Sequence, residues 1–115
     1  MLNKINRLKK NKEFNFIYKK GQVAHSESFI IHYVRAYKNF PQIGISVSKT
    51  VGNSVVRSRV KRIISEACRK NIDSFAVKNY VITAKPACSE KISTDLEIEL
   101  VKTLKKNNLF RGENV

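Results

Sequence analysis

The chain has 115 residues, enough for one hydrophobic core and one domain. Lys and Arg number 23 against 9 Asp and Glu, a net charge of +14 that calls for a polyanionic partner, nucleic acid or an anionic membrane. The apolar runs are too short for a membrane span, no apolar stretch follows the basic start as in a signal peptide, and Cys68 and Cys88 form neither a disulfide framework nor a zinc pattern, so a reducing cytoplasm is expected.

Residues 1–10 are polar and basic and read as an extended lead. Asn11 is placed to cap a helix ending at 18–20, with Glu13 in its first turn and Gly21 as its stop. Phe14, Ile17 and Tyr18 form one stripe at i, i+3, i+4 spacing. Spacing alone favours core packing; a partly open aromatic surface beside Lys19 and Lys20 is the other reading. Residues 28–37 alternate as a strand with apolar residues on both faces, so both faces are expected to be at least partly covered. His32 reads as a packed or hydrogen-bonded histidine, because no Cys or carboxylate pattern accompanies it. Pro41 marks a turn, and residues 43–47 read most simply as the hairpin partner of 28–37.

Residues 49–70, KTVGNSVVRSRVKRIISEACRK, hold seven basic residues and one acid, Glu66. Gly52-Asn53-Ser54 reads as a turn and helix cap. From Val55 on, helical periodicity gathers Val56, Val60, Ile63, Ile64 and Ala67 on one face. Ser58, Arg62, Ser65 and Arg69 fall opposite, flanked by Arg57 and Lys61 on one side and Arg59 and Glu66 on the other. Charged helix faces are usually only solvated, but they normally mix signs. Arg57 and Lys61 repel at i,i+4 unless a polyanion neutralises them. Cys68, at the edge of the apolar face, reads as a small core residue.

Residues 80–84 read as a third strand ended by Pro86. Thr94 and Glu97 match a capping box opening a helix that runs to about residue 106. Residues 108–115 are expected to fray. The order helix, two strands, helix, strand, helix gives an α+β domain with one small sheet. No Walker loop, G-x-S-x-G, HExxH or clustered Asp/Glu set is present, so catalysis by the protein alone is not expected. A basic helix, a basic arm and aromatics near Lys suit RNA backbone contacts and base stacking.

The stretch ISVSKTVGNSVVRSRVKRII, with Gly44 to Lys49, Gly52-Asn53, Val55, Arg57, Arg59 and Lys61-Arg62, resembles the signature of the bacterial ribonuclease P protein component. The start RLKKNKEFNFIYKKG, with Arg7, Phe14, Tyr18 and Gly21, and the strand VITAKP are also similar to that family. The resemblance covers nearly the whole chain in order. It departs at Ser58, where the family usually has Asn; at Ser65, usually Arg or Lys; and at His32, often Tyr.

The resemblance implies a mainly antiparallel sheet packed with three helices, in a ribosomal-protein-like fold with a left-handed βαβ crossover, an arrangement that base rates disfavour. It implies an accessory subunit of an endoribonuclease, in which the catalytic RNA, with Mg2+ at the level of the RNA–protein holoenzyme, removes the 5′ leader of precursor tRNA. No metal or other cofactor is expected to be held by a protein motif. The implied RNA-binding residues are Lys49, Asn53, Arg57, Ser58, Arg59, Lys61, Arg62 and Arg69. The implied leader cleft comprises Phe14, Tyr18, Lys20, Ile30 and His32, which turns the balance for Phe14 and Tyr18 toward exposure and leaves Phe29, Ile31 and Tyr33 facing the core. Partners are then the ribonuclease P RNA and precursor tRNA, with no membrane and no small-molecule substrate. The alternative is a ribosomal or ribosome-assembly RNA-binding protein, which needs no aromatic cleft. A membrane-surface role would need Trp, Phe or Leu on the basic helix, which has none.

Overall fold

The structure is a computed structural model and describes residues 2–111. In chain order it contains helix α1 (Asn11–Lys20), strands β1 (Gln22–His25), β2 (Phe29–Arg35) and β3 (Gln42–Val47), helix α2 (Ser54–Lys70), strand β4 (Lys78–Ala84) and helix α3 (Ser93–Lys106). Short 3-10 turns stand at Lys4–Asn6, Lys49–Val51, Ile72–Ser74 and Pro86–Glu90. The class is α+β, as expected.

The sheet order is β1-β2-β4-β3, so the expected hairpin between β2 and β3 does not form. β4 lies between them, antiparallel to β2 and parallel to β3. The reason lies in its composition: Tyr80, Val81 and Ile82 are fully buried, and such an apolar run needs pairing on both edges and cover on both faces. The parallel β3–β4 pair is joined through α2 as a βαβ unit. β1 escaped the sequence reading because only Ala24 of its four residues is buried.

The two faces of the sheet are covered unequally. On one, Phe29, Ile31, Ile43, Tyr80 and Ile82 join Val60, Ile64, Ala67 and Cys68 of α2 and Leu96, Leu100 and Leu104 of α3 in the main core. Tyr33 is only half-buried against that core. On the other face, α1 covers a small cluster of Leu8, Ile17 and Val81, with Phe14 and Val34 packed against it. Burial pushes the Cys68 thiol well above its ordinary range, consistent with a packing role.

Several local expectations are corrected. The lead is not merely extended: Leu2 joins the main core, Leu8 the cluster under α1, and Leu8 N–H donates to Ile43 O at 3.1 Å. It thereby wraps the outer edge of β3, where Arg7 makes a parallel bridge with Ile43. Asn11 is the first helical residue; the cap position belongs to Lys10 and has no side-chain bond. α3 starts at Ser93 without a side-chain cap, and Glu97 instead accepts from Asn71 Nδ2 at 3.1 Å and pairs with Lys70 at 3.5 Å. Residues 108–111 are docked, not frayed: Leu109 is buried, Ala76 N–H donates to Leu109 O at 2.7 Å, and Phe110 bridges Phe75. Residues 112–115 of the expected tail lie outside the described residues.

One carboxylate ties α3 to the turn between β1 and β2. Glu99 accepts from Ser28 N–H at 2.6 Å, Ser28 Oγ at 2.8 Å and Lys91 Nζ at 2.9 Å. Burial works to raise its pKa, but the bonds from Lys91, Ser26 and Ser28 outweigh it and hold the carboxyl at about 2, below the ordinary 4.5. A depressed folded-state pKa stabilises the fold fully above the unfolded value and ceases to as pH falls from about 4.5 toward 2. Glu99→Gln should therefore cost about 1–3 kcal/mol at pH 7, roughly 4–15 °C in Tm, measured by thermal denaturation. The loss of Tm between pH 5 and pH 3 should be smaller in the variant than in the parent chain.

Candidate nucleic-acid interface

α2 begins where Asn53 Oδ1 accepts the Val56 N–H at 3.0 Å. Gly52, at φ 158°, sits so close to Val56 that a Cβ there would lie 2.8 Å from the valine Cγ1. The turn and cap together aim the first turns of α2 past the end of β3. A groove there is lined by Ser46 and Val47 of β3 and by Ser54, Arg57, Ser58 and Lys61 of α2. Lys49 is exposed on the 3-10 turn joining the two elements.

The cations of α2 divide between its two margins. On the β3 side, Arg57 donates through Nε to the Gly52 carbonyl at 3.1 Å, which aims its guanidinium without neutralising it. Lys61 is exposed and reaches both this groove and the adjacent one formed with Leu2, Arg7, Lys9 and Phe14. On the α3 side, Arg59 donates to Ser89 O at 3.1 Å, Arg69 binds Glu66 through Nε at 2.9 Å, and Lys70 pairs with Glu97. Arg62 is exposed beside Glu66 and Glu97. The predicted set is thus not one uniform face: Lys49, Asn53, Arg57, Ser58 and Lys61 lie toward β3, while Arg59 reaches the Pro86–Glu90 turn, Arg62 shares a groove with the start of α3 and Arg69 pairs within α2.

Ser65 is buried, although helical periodicity put it at the centre of the polar face. The lead explains the difference. Leu2, Arg7 and Leu8 line one groove together with Lys61 and Ser65, so chain folded over α2 covers a position that the helix alone leaves open. A small hydroxyl suits that position; a Lys or Arg would bring a charge toward the core.

The second feature is the uncovered part of the α1 face of the sheet. Tyr18, exposed on α1, places its ring edge-on to His32 at 5.0 Å between centroids, and its hydroxyl lies 3.3 Å from Thr83 Oγ1. Ile30 is paired with Thr83 and with His25 across its two neighbouring strands. Tyr18, Ile30 and His32 are therefore brought together. His32 Nδ1 is buried without a hydrogen-bond partner among the described residues, and burial, then the nearby His25, lowers its pKa. The neutral ring is favoured there.

Lys20 lies apart from that trio, whereas Phe14 stands one turn before Tyr18 on α1, over β3. Phe14 is half-buried, and its ring occupies the space over Gly44, where a Cβ would come within 2.4 Å of Phe14 Cζ. It is part wall, part core. Lys20 lines a different groove, at the starting end of β4. Sequence reasoning missed Ser46 and Thr83, register partners that join the two features. It also missed why Gly44 is glycine, although glycine inside a strand is a signal of close approach.

Among the described residues, no group of three or more His, Cys, Asp or Glu is placed to hold a metal ion, and no helix is long and apolar enough to cross a membrane.

The sequence profile of the Ribonuclease P family matches residues 2–108. A ribonuclease P protein component of Clostridium botulinum (strain Langeland) is 36% identical over 93% of this chain and 98% of its own length. That of Clostridium acetobutylicum is 40% identical over 92% of each. Among solved structures, the Staphylococcus aureus RNase P protein superposes with a TM-score of 0.85 at 29% identity, covering 92% of this chain and 98% of that one. The Thermotoga maritima protein shares the fold, with a TM-score of 0.81 at 23% identity over 87% of this chain and 98% of that one. Matched over residues 2–108 in sequence and superposed in fold, the chain belongs to the bacterial ribonuclease P protein component family.

Proposed function

We propose that this chain works as the RNA-gripping subunit of a ribonuclease P holoenzyme in the cytoplasm. The β3 margin of α2, with Lys49, Asn53, Arg57, Ser58 and Lys61, binds the backbone of the catalytic RNA. Arg59, Arg62 and Arg69 give that helix a second, weaker cationic margin. The open sheet face of Tyr18, Ile30 and His32, walled by Phe14, receives the single-stranded 5′ leader of precursor tRNA. Cleavage of the leader belongs to the RNA with Mg2+; no step runs through a metal held by this chain.

The observation that carries this reading is the continuity of the two features. Ser46 lines the groove with Arg57 and Lys61, and its register partner Thr83 lies within 3.3 Å of the Tyr18 hydroxyl. A cationic groove thus adjoins an aromatic surface through the Ser46–Thr83 pair. Phosphates supply affinity along such a path and stacking holds bases without sequence preference.

Three outcomes test it. The chain freed of RNA should leave precursor tRNA intact, and cleavage should appear on addition of the RNA subunit. Arg57→Ala should weaken assembly with that RNA while leaving the circular dichroism spectrum unchanged, and Arg69→Ala, whose parent side chain is already paired with Glu66, should weaken it less. With even six phosphate contacts, assembly should lose about a thousandfold in affinity between 50 and 200 mM salt. A salt dependence near zero would overturn the electrostatic reading.

The leader assignment is tested on Tyr18, whose exposure separates binding from folding. A stacked base contributes about 1–3 kcal/mol, so Tyr18→Ala should weaken binding of leader-bearing precursor tRNA by about 5- to 150-fold. Mature tRNA binding and RNA-subunit assembly should hold. Phe14→Ala should show the leader defect together with a lower Tm, because its ring also packs over Gly44. Equal loss of precursor and mature tRNA binding in Tyr18→Ala would place the leader elsewhere.

A further inference from the structure

At the end of the molecule away from the start of α2, Lys20, Arg35 and Lys78 line a groove together with Gln22, Tyr33 and Val34. No carboxylate lines it, and among the described residues none of the three cations is in an ion pair. Arg35 and Lys78 are direct cross-strand partners in the β2–β4 register. Like charges directly opposite one another weaken a sheet, and a surface shaped only by solubility mixes signs. Lys20 adds a third positive charge from the last turn of α1. Gln22 and Tyr33, also cross-strand partners, bring neutral hydrogen-bonding groups to the same place.

We propose that the Lys20–Arg35–Lys78 groove is a second phosphate-backbone site, binding a phosphodiester of RNA separately from α2. A phosphodiester relieves the repulsion between Arg35 and Lys78, and the guanidinium and tyrosine hydroxyl give it directional bonds. The site is spatially independent of the α2 groove. Lys78 opens β4, whereas Ala84 closes it beside Val47, which lines the α2 groove. Seven strand residues separate the two sites by roughly 20 Å, so they reach different RNA segments. The inference rests on the RNA partnership proposed above but not on the leader assignment. The phosphodiester has two possible sources, the RNA subunit or the precursor tRNA leader.

The test uses the full chain carrying both Arg35→Gln and Lys78→Gln, with Arg57→Ala in parallel. Binding is measured across salt concentrations in two arms: to the RNA subunit alone, and by the reconstituted holoenzyme to precursor tRNA with short or long leaders. The double variant should keep or raise its Tm, since it removes a repulsion, and its log–log salt slope should fall by about 1.5 in one arm. A change in the first arm assigns the site to the RNA subunit; a change confined to long leaders assigns it to the leader strand. Arg35→Glu, which sets a carboxylate opposite Lys78, should raise Tm and still weaken RNA binding, a combination that a purely structural role does not produce. Unchanged slopes and affinities in both arms overturn the inference. If Arg57→Ala still weakens assembly in that case, the proposed function stands without it; if Arg57→Ala has no effect either, the RNA reading of α2 fails separately.

Discussion

The structure depends on the pairing of β4 with strands of opposite direction on its two edges. Its run of Tyr80, Val81 and Ile82 is wholly buried and accepts β2 antiparallel and β3 parallel. A parallel neighbour requires a crossover, and α2 is that crossover. It must leave the end of β3 and return to the start of β4, so its first turns stand beside Ser46 and Val47 and its last turns near α3. The location of the basic groove follows from strand order.

Electrostatics then sorts the cations of the helix. Along the α3 margin, Glu66, Glu97 and the Ser89 carbonyl engage Arg69, Lys70 and Arg59. Among the described residues no acid lines the grooves of the β3 margin, and Arg57 donates to a neutral carbonyl of the turn before the helix. The acids of the chain are concentrated in its last third, on or near α3, and that is where they act. Glu99 binds the β1–β2 turn, while Glu97 serves the end of α2. Their structural use leaves the opposite margin strongly positive.

The unequal cover of the two sheet faces has a functional counterpart. One face carries most of the core, and at about 1.5–3 kcal/mol for each large apolar side chain buried, it supplies most of the stability. The α1 face needs only a short helix and a few side chains for its share. Part of it can remain open, with Tyr18 and His32 edge to face at its border. Phe14 belongs to both economies, since Gly44 gives its ring a seat against the sheet while its other side borders the groove near Lys61.

The sequence by itself determined the element types, the apolar faces of the helices and the uneven charge, because these depend on periodicities of two and of 3.6 residues and on composition. Its ordered motifs also pointed to the family, and Asn53 as cap of the basic helix was legible from a local pattern. Tertiary structure alone decided what depends on partners distant along the chain. The place of β4 between β2 and β3 is set by burial on two edges, which no local pattern distinguishes from a hairpin. Ser65 is covered because the lead folds back over α2, so helical periodicity alone misassigned it. Glu97 serves Lys70 and Asn71 instead of capping its own helix, since a longer-range partner competed with the local one. Arg59 is engaged by the Ser89 carbonyl, far along the chain, whereas Arg57 meets only the turn before its own helix, and local sequence does not tell the two apart. Lys20, two residues past the end of the Phe14–Ile17–Tyr18 stripe, joins Arg35 and Lys78 instead, because the chain turns at Gly21 and brings the cross-strand pair of β2 and β4 beneath it.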